Sequence, residues 1–361
     1  MKNSQKGFVG AILLVIIGVL VVGGGVYFYS QNKSVSTTAP INDVSNNAKN
    51  SNAFYDSDLR ISHASISVSN NSASAFNAVK TNLVAKADSD FLSKYFANYS
   101  AKNLPPITQS QKILTAHTDL LNIFDANANK QYQCSIGIGE NCSLQPIRNI
   151  ANLAALRSLV AFQQNKPSEA QSTALNIVTL GKNVTANADA VITLLVGWSV
   201  QNLGYNILAT VQPKGTLSAN EKANLIATLR QEHKKALRYE YTRTAEGIDY
   251  ITSPANKPSA IITSDEEETI AIYRKGATAS PTAWNPTETK KYFYDSYKIA
   301  LSNIDLACGV TPKTSVMNLN FDPQNEQTEN YVGKTMYSTT YASLDTMSQK
   351  RCAIENLIQN L

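Results

Sequence analysis

The stretch Val191-Ile192-Thr193-Leu194-Leu195-Val196-Gly197-Trp198-Ser199-Val200 sits inside residues 186–211, whose only formal charge is Asp189. Its apolar residues do not alternate with polar ones at period two, so the stretch does not read as a half-buried strand. A helix hydrophobic on nearly all sides belongs in the middle of a core. Residues 186–211 are therefore expected to form the central helix of the fold.

Working outward, helical period continues in both directions. Pro146 opens a helix whose apolar positions Ile150, Leu153, Leu156, Leu159 and Val160 fall on one face. Asn165-Lys166-Pro167 reads as a turn with Pro at a helix start. The helix after it carries Ala170, Ala174, Ile177, Val178 and Leu180, and Gly181 is expected to end it. Further upstream, residues 73–99 read as one amphipathic helix, Pro105-Pro106 as a break, and residues 108–127 as a second helix. Downstream, Ser218-Ala219-Asn220-Glu221 is a capping box, because Ser accepts from the N3 amide while Glu reaches back. It opens a helix expected to run to about Gly247, with Leu225, Leu229, Ala236, Leu237 and Tyr241 on one face. Ser264-Asp265-Glu266-Glu267 and Asn285-Pro286-Thr287-Glu288 repeat the cap logic, and a last helix spans residues 324–361. The expected class is all-α.

The N-terminus points to a membrane. Residues 8–29, from Phe8 to Tyr29, carry no charge. As a helix they would span roughly 33 Å, enough to cross a hydrocarbon core of about 30 Å. Lys2 and Lys6 precede them, so the positive-inside rule keeps residues 1–7 cytoplasmic. Residues 30–52 are rich in Ser, Asn and Thr and read as a tether. Residues 53–361 then form an extracytoplasmic all-α domain on a single-pass protein of the cytoplasmic (inner) membrane, with the bilayer as first partner. A cleaved signal would have a shorter apolar run and an Ala-x-Ala-like site, and neither is present.

Charge and cysteines agree with that address. Of 361 residues only 16% are charged, against ~25% in typical soluble domains. The net charge of +5 is concentrated before position 50, in Lys2, Lys6, Lys33 and Lys49 against Asp43. The body that remains is nearly balanced, which argues against a nucleic-acid partner. Cys134, Cys142, Cys308 and Cys352 all lie in the expected exported part. Four cysteines allow three pairings, and proximity favours Cys134–Cys142 and Cys308–Cys352. Zinc sites bring cysteines in closer pairs than these, so disulfides are expected.

Two resemblances bear on function. Gln5-Lys6-Gly7-Phe8 before an apolar run resembles the leader of type IV pilins and pseudopilins, which implies cleavage after Gly7. The family's usual Glu at the fifth mature position is Ile12 here, and Gly23-Gly24-Gly25 suits a long filament helix poorly. Residues 144–247 resemble exported, membrane-anchored bacterial helical proteins with tetratricopeptide-like hairpins. The resemblance rests on Ile147 to Arg157, Glu169-Ala170, Leu194-Leu195-Val196-Gly197 and Leu237-Arg238-Tyr239-Glu240. It implies packed antiparallel helix pairs and carries no catalytic residues.

Motifs for catalysis, metals and cofactors do not complete. His233 lacks a second His at i±4 with an adjacent Glu, and reads as a solvated or half-buried helix residue. Gly197-Trp198-Ser199 lacks the second Gly of a nucleophile elbow. Asp125-Ala126-Asn127-Ala128-Asn129 begins like a calcium loop but has Lys130 at the sixth position and Ile136 at the twelfth. No catalytic residue, metal ligand or cofactor is expected, and an envelope hydrolase with an atypical site has no constellation behind it. Basic residues interleaved with tyrosines at Lys234, Lys235, Arg238 and Arg243 form the candidate interaction surface. The leading expectation is a non-catalytic envelope module that binds or scaffolds another protein, with a pilin-like subunit as the alternative.

Overall fold

The computed structural model describes residues 56–62, 66–79, 86–134, 144–188, 191–212, 217–252, 271, 274–275, 284–310 and 330–361. The expected cytoplasmic stretch 1–7, membrane helix 8–29 and tether 30–52, along with Cys142 and the helix opened by Ser264, lie outside them. Among the described residues no helix is long and apolar enough to cross a membrane. They contain no strand, only one isolated parallel bridge between Asn71 and Gln131. The all-α expectation holds for them.

Three consecutive helices form the central layer: α5 (Gln145–Gln163), α6 (Pro167–Ala186) and α7 (Val191–Val211). The turn between α5 and α6 is a Schellman motif. Asn165 takes the left-handed conformation at φ 59. Its amide donates to Phe162 O, and the Lys166 amide donates to Ala161 O, so two otherwise orphaned carbonyls are satisfied. Pro167 then starts α6, where its missing N–H is no loss. The expected stop at Gly181 is not observed; α6 continues to Ala186. Gly181 is there for closeness, since a Cβ at this position would come within 2.6 Å of the Gln201 amide nitrogen and 2.8 Å of Gly197 O. A Cβ on Gly197 would in turn meet Gly181 O at 3.0 Å. The break expected before residue 186 instead falls at Asn187, with φ −122 and ψ 21. Helix α7 buries Leu194, Trp198, Tyr205, Ile207 and Leu208, as its composition requires.

Helix α8 (Ala219–Thr252) opens on the expected capping box. The Glu221 amide donates to Ser218 Oγ at 3.3 Å, and the Ser218 amide donates to Glu221 Oε2 at 2.8 Å. It runs past Gly247 to Thr252, because nothing at that exposed-side glycine compels a stop. Helices α9 (Pro286–Ile304) and α10 (Tyr331–Asn360) complete the bundle, with α9 packed on α8 and α10 packed on α7, α8 and α9. The starts of α9 and α10 are pinned together. Asn285 caps α9 through its Oδ1 and the Glu288 amide at 3.0 Å, while its own amide donates to Asn330 Oδ1 at 2.9 Å. The Cys308–Cys352 pairing is observed, with Cα atoms 5.4 Å apart and a sequence separation of 44. In the chain-entropy account such a loop stabilises the fold by about 4 kcal/mol. Cys134 is buried and also disulfide-bonded.

Upstream, two expected helices are each divided. Residues 73–99 form α1 (Ala73–Asn77) and α2 (Lys86–Ala97). The chain around α1 is drawn onto residues 131–133, where the Ser72 amide donates to Gln131 O and Asn71 Nδ2 to Gln133 O. Residues 108–127 form α3 (Ile107–Ala116) and α4 (Thr118–Asn127), with His117 between them at φ −119, ψ 30. His117 Nε2 lies 3.0 Å from Asp88 Oδ2 on α2, an anchor that a helical period does not reveal.

Helical glycine has opposite meanings at two positions, and urea melts of the two alanine variants separate them. Gly181→Ala is expected to destabilise the protein by roughly 1–3 kcal/mol through overpacking. Gly247→Ala, with nothing within 4 Å of the added carbon, is expected to stabilise it by about 0.5–1 kcal/mol through helix propensity. Equal effects would mean that α6 and α7 do not touch backbone to backbone.

Candidate functional site

Helix α8 divides its charged residues between two environments. Glu232 and His233 turn inward and are 9% and 1% exposed. Lys234, Lys235 and Arg238 turn outward and line a groove of about 540 Å³. A residue on an α-helix advances by roughly 100°, so Lys234 and Arg238 project within about 40° of each other. Arg243, expected on the same surface, is roughly 140° around from Arg238 and is not part of the groove lining. The candidate surface therefore keeps Lys234, Lys235 and Arg238, loses Arg243, and gains Lys298 from α9.

The segment 56–62, just after the expected tether, forms one wall of the groove. It is held to α8 and α9 along its length. Leu59 is buried, the Ile61 amide donates to Thr242 Oγ1 at 3.1 Å, and Tyr241 donates to Asp56 Oδ2 at 2.7 Å. Arg238 donates to the backbone O of Asp58 at 2.5 Å. Lys298 donates to Asp58 Oδ2 at 2.8 Å, and this bond holds the Asp58 carboxyl below the usual carboxylate range. Across the groove Lys234 pairs with Asp305 at 2.7 Å. Lys235 donates to Ala186 O at 2.8 Å, placing a cation at the C-terminus of α6, where the helix dipole favours it. Nothing in sequence near Asp58 announces this wall; only the Leu and Ile among its polar neighbours hint that it packs.

A second groove of about 330 Å³ involves Gln111, Arg157 and Glu169. Its one guanidinium is matched, because Arg157 makes a two-pronged contact with Asp125 at 2.6 and 2.8 Å. It offers no comparable excess of charge.

The inward face of α8 is a buried polar cluster that the sequence does not show. Thr185 donates to Glu232 Oε2 at 2.7 Å, and Gln201 donates to Thr185 Oγ1 at 3.0 Å. Burial pushes the Glu232 carboxyl up, towards the neutral acid. His233 corrects the expectation of a solvated or half-buried ring. It packs edge-on against Trp198, ring centres 4.8 Å apart at 86°, because α7 and α10 close over it. Neither of its ring nitrogens has a hydrogen-bond partner among the described residues. Burial first, and then the nearby Arg351 guanidinium, lower its pKa to about 3. Arg351, 2% exposed, pairs with Glu355. Glu355 also takes a two-pronged contact from Arg230 at 2.8 and 2.9 Å, and the Cys308 Sγ lies 3.3 Å from it. Two guanidiniums on one carboxylate leave a net positive charge in this interior, which opposes protonation of His233. Among the described residues no group of three or more His, Cys, Asp or Glu could hold a metal ion.

His233 makes stability depend on pH in a defined direction. Between about pH 6.5 and 3 the unfolded chain binds a proton at His233 and the folded chain does not. Its contribution is thus full above about pH 6.5 and is lost as pH falls, by up to roughly 1.4 kcal/mol per unit. Glu232 acts with the opposite sign, so the comparison is with His233→Phe, which keeps Glu232. Urea midpoints are expected to fall faster with acidification in wild type than in the variant; parallel curves from pH 7 to 4.5 would contradict the buried neutral imidazole.

No family model, no curated protein and no solved structure matches this chain.

Proposed function

We propose that this chain is a membrane-anchored, non-catalytic module of the cell envelope that docks another protein in the groove between α8, α9 and segment 56–62. The observation that carries the reading is the groove itself. Lys234, Lys235, Arg238 and Lys298 converge there from two helices, and segment 56–62 forms the wall that completes it. A concave site with a few converging charged groups and half-buried apolar residues such as Ile61 and Leu301 suits recognition. His233, the imidazole next in sequence to these cations, is sealed in the core and has no access to the groove. The charge-free run at residues 8–29 supports anchorage with the N-terminus inside, which puts the helical domain on the far side of the cytoplasmic membrane.

A photo-crosslinking residue tests the docking site in intact cells. Placed at Gln231, an exposed groove-lining position, it is expected to trap one envelope protein; placed at the exposed Leu175 on α6 it is expected to trap none. Adding Arg238→Glu to the Gln231 variant is expected to abolish the adduct. The same pattern of adducts from both positions would overturn the docking site.

Lys6-Gly7-Phe8 favours a second reading, a pilin-like subunit of a surface filament or secretion machine. N-terminal sequencing of the membrane-extracted protein decides between them. A chain beginning at Met1 is expected for the anchored module, and one beginning at Phe8 would replace it with the pilin-like subunit.

A further inference from the structure

The reading of the groove as a docking site leaves open what chemistry it accepts, and its charges answer that. Lys234 is neutralised by Asp305 at 2.7 Å and Lys298 by Asp58 at 2.8 Å. Among the described residues, Arg238 and Lys235 are hydrogen-bonded only to carbonyl oxygens, those of Asp58 and Ala186, and Lys235 also lies over the Tyr239 ring at 5.6 Å. A carbonyl satisfies a donor but carries no net charge, so among the described residues neither cation is paired directly with a carboxylate. Glu232, on the inward face of α8, also acts electrostatically on Lys235, though burial pushes its pKa up. Each cation also keeps spare donors, since a guanidinium has five N–H groups and an ammonium three.

We infer that the groove takes an extended acidic segment of the partner protein, with carboxylates on Arg238 and Lys235. Shape and spacing support this occupant. Gln231 to Arg238 rises roughly 10 Å along α8, the length of about three residues in an extended chain. Asp58 in segment 56–62 and Asp305 at the C-terminal end of α9 both line the groove, each paired with one lysine, Lys298 and Lys234. A narrow chain can reach Arg238 and Lys235 within the groove, whereas a broad anionic surface such as a bilayer would also meet the Asp58 and Asp305 carboxylates that line it. Alternate side chains of an extended peptide point the same way, so a Glu-x-Glu pattern presents its carboxylates to one side of the groove. This inference rests on the docking reading.

The test uses the full chain in detergent and a fluorescent peptide of alternating Glu and Gly, with its Gln counterpart as the neutral control, read by anisotropy. The Glu peptide is expected to bind at least roughly tenfold more tightly, and to weaken as salt screens the contact. Arg238→Gln and Lys235→Gln are each expected to weaken it by about tenfold. Lys166→Gln, at the distant exposed turn before α6, is expected to leave it unchanged, and circular dichroism checks that helix content is kept. Asp305→Asn unmasks Lys234 and is expected to tighten binding several-fold, a gain that misfolding does not produce. Equal binding of the Glu and Gln peptides, or no gain from Asp305→Asn, would overturn the inference. So would displacement by millimolar inorganic phosphate as complete as by unlabelled Glu peptide, which would make the occupant a small anion. Sedimentation with phosphatidylglycerol vesicles that Arg238→Gln abolishes would instead assign the groove to lipid. A crosslinked partner at Gln231 together with indifference to the Glu peptide overturns only the acidic-segment inference and leaves the docking site standing.

Discussion

Where α6 packs on α7, Gly181 lies so close to Gly197 and Gln201 that an added Cβ would come within 2.8 Å of the Gly197 carbonyl oxygen and 2.6 Å of the Gln201 backbone nitrogen. This contact sets the positions that every outer layer uses. It brings Thr185 beside Gln201, and together they receive Glu232 from α8. Three residues from Gln201 along α7, Trp198 receives the edge of His233. With Glu232 and His233 committed inward, the helical period leaves Lys234, Lys235 and Arg238 no orientation but outward. The groove is in this sense a consequence of the glycine contact two layers below it.

The interior that α8 covers is unusually polar for a helical bundle. Arg351, Glu355 and Arg230 form a buried ionic group beside the Cys308–Cys352 disulfide, and His233 sits against it neutral. Buried ion pairs contribute little net stability because desolvation opposes the attraction. Their geometric demand is strict, however, because removing one partner strands a buried charge. Such a group fixes how α10 lies against α8, and the disulfide beside it ties α10 covalently to the turn after α9. The outer face of α8 thus rests on a junction that resists sliding, a useful property in the floor of a recognition groove.

Segment 56–62 gives the groove its third side, and its position links the site to the N-terminus. The chain meets α8 and α9 through Asp56, Asp58, Leu59 and Ile61 before it reaches α1. In the anchored reading, the wall of the groove is also the point where the domain is joined to its tether. Pulling on the tether and occupying the groove would then act on the same few contacts.

Residue pattern alone determined the all-α class, the buried role of residues 186–211, the capping box at Ser218, the cap at Asn285 and the turn at Asn165, and it favoured the Cys308–Cys352 pairing by proximity. Each of these is a local property of period, cap chemistry or proximity along the chain. It also pointed to Lys234, Lys235 and Arg238, as basic residues interleaved with tyrosines. Arg243 fell away because one further residue of spacing carries a side chain to another face. Only the tertiary structure decided that Gly181 lies mid-helix, that His117 interrupts a helix, that His233 is sealed beside Trp198, and that Asp58 and Lys298 complete the groove. Those outcomes depend on what another helix brings within a few ångströms, and a one-dimensional pattern holds no record of which distant residues will meet.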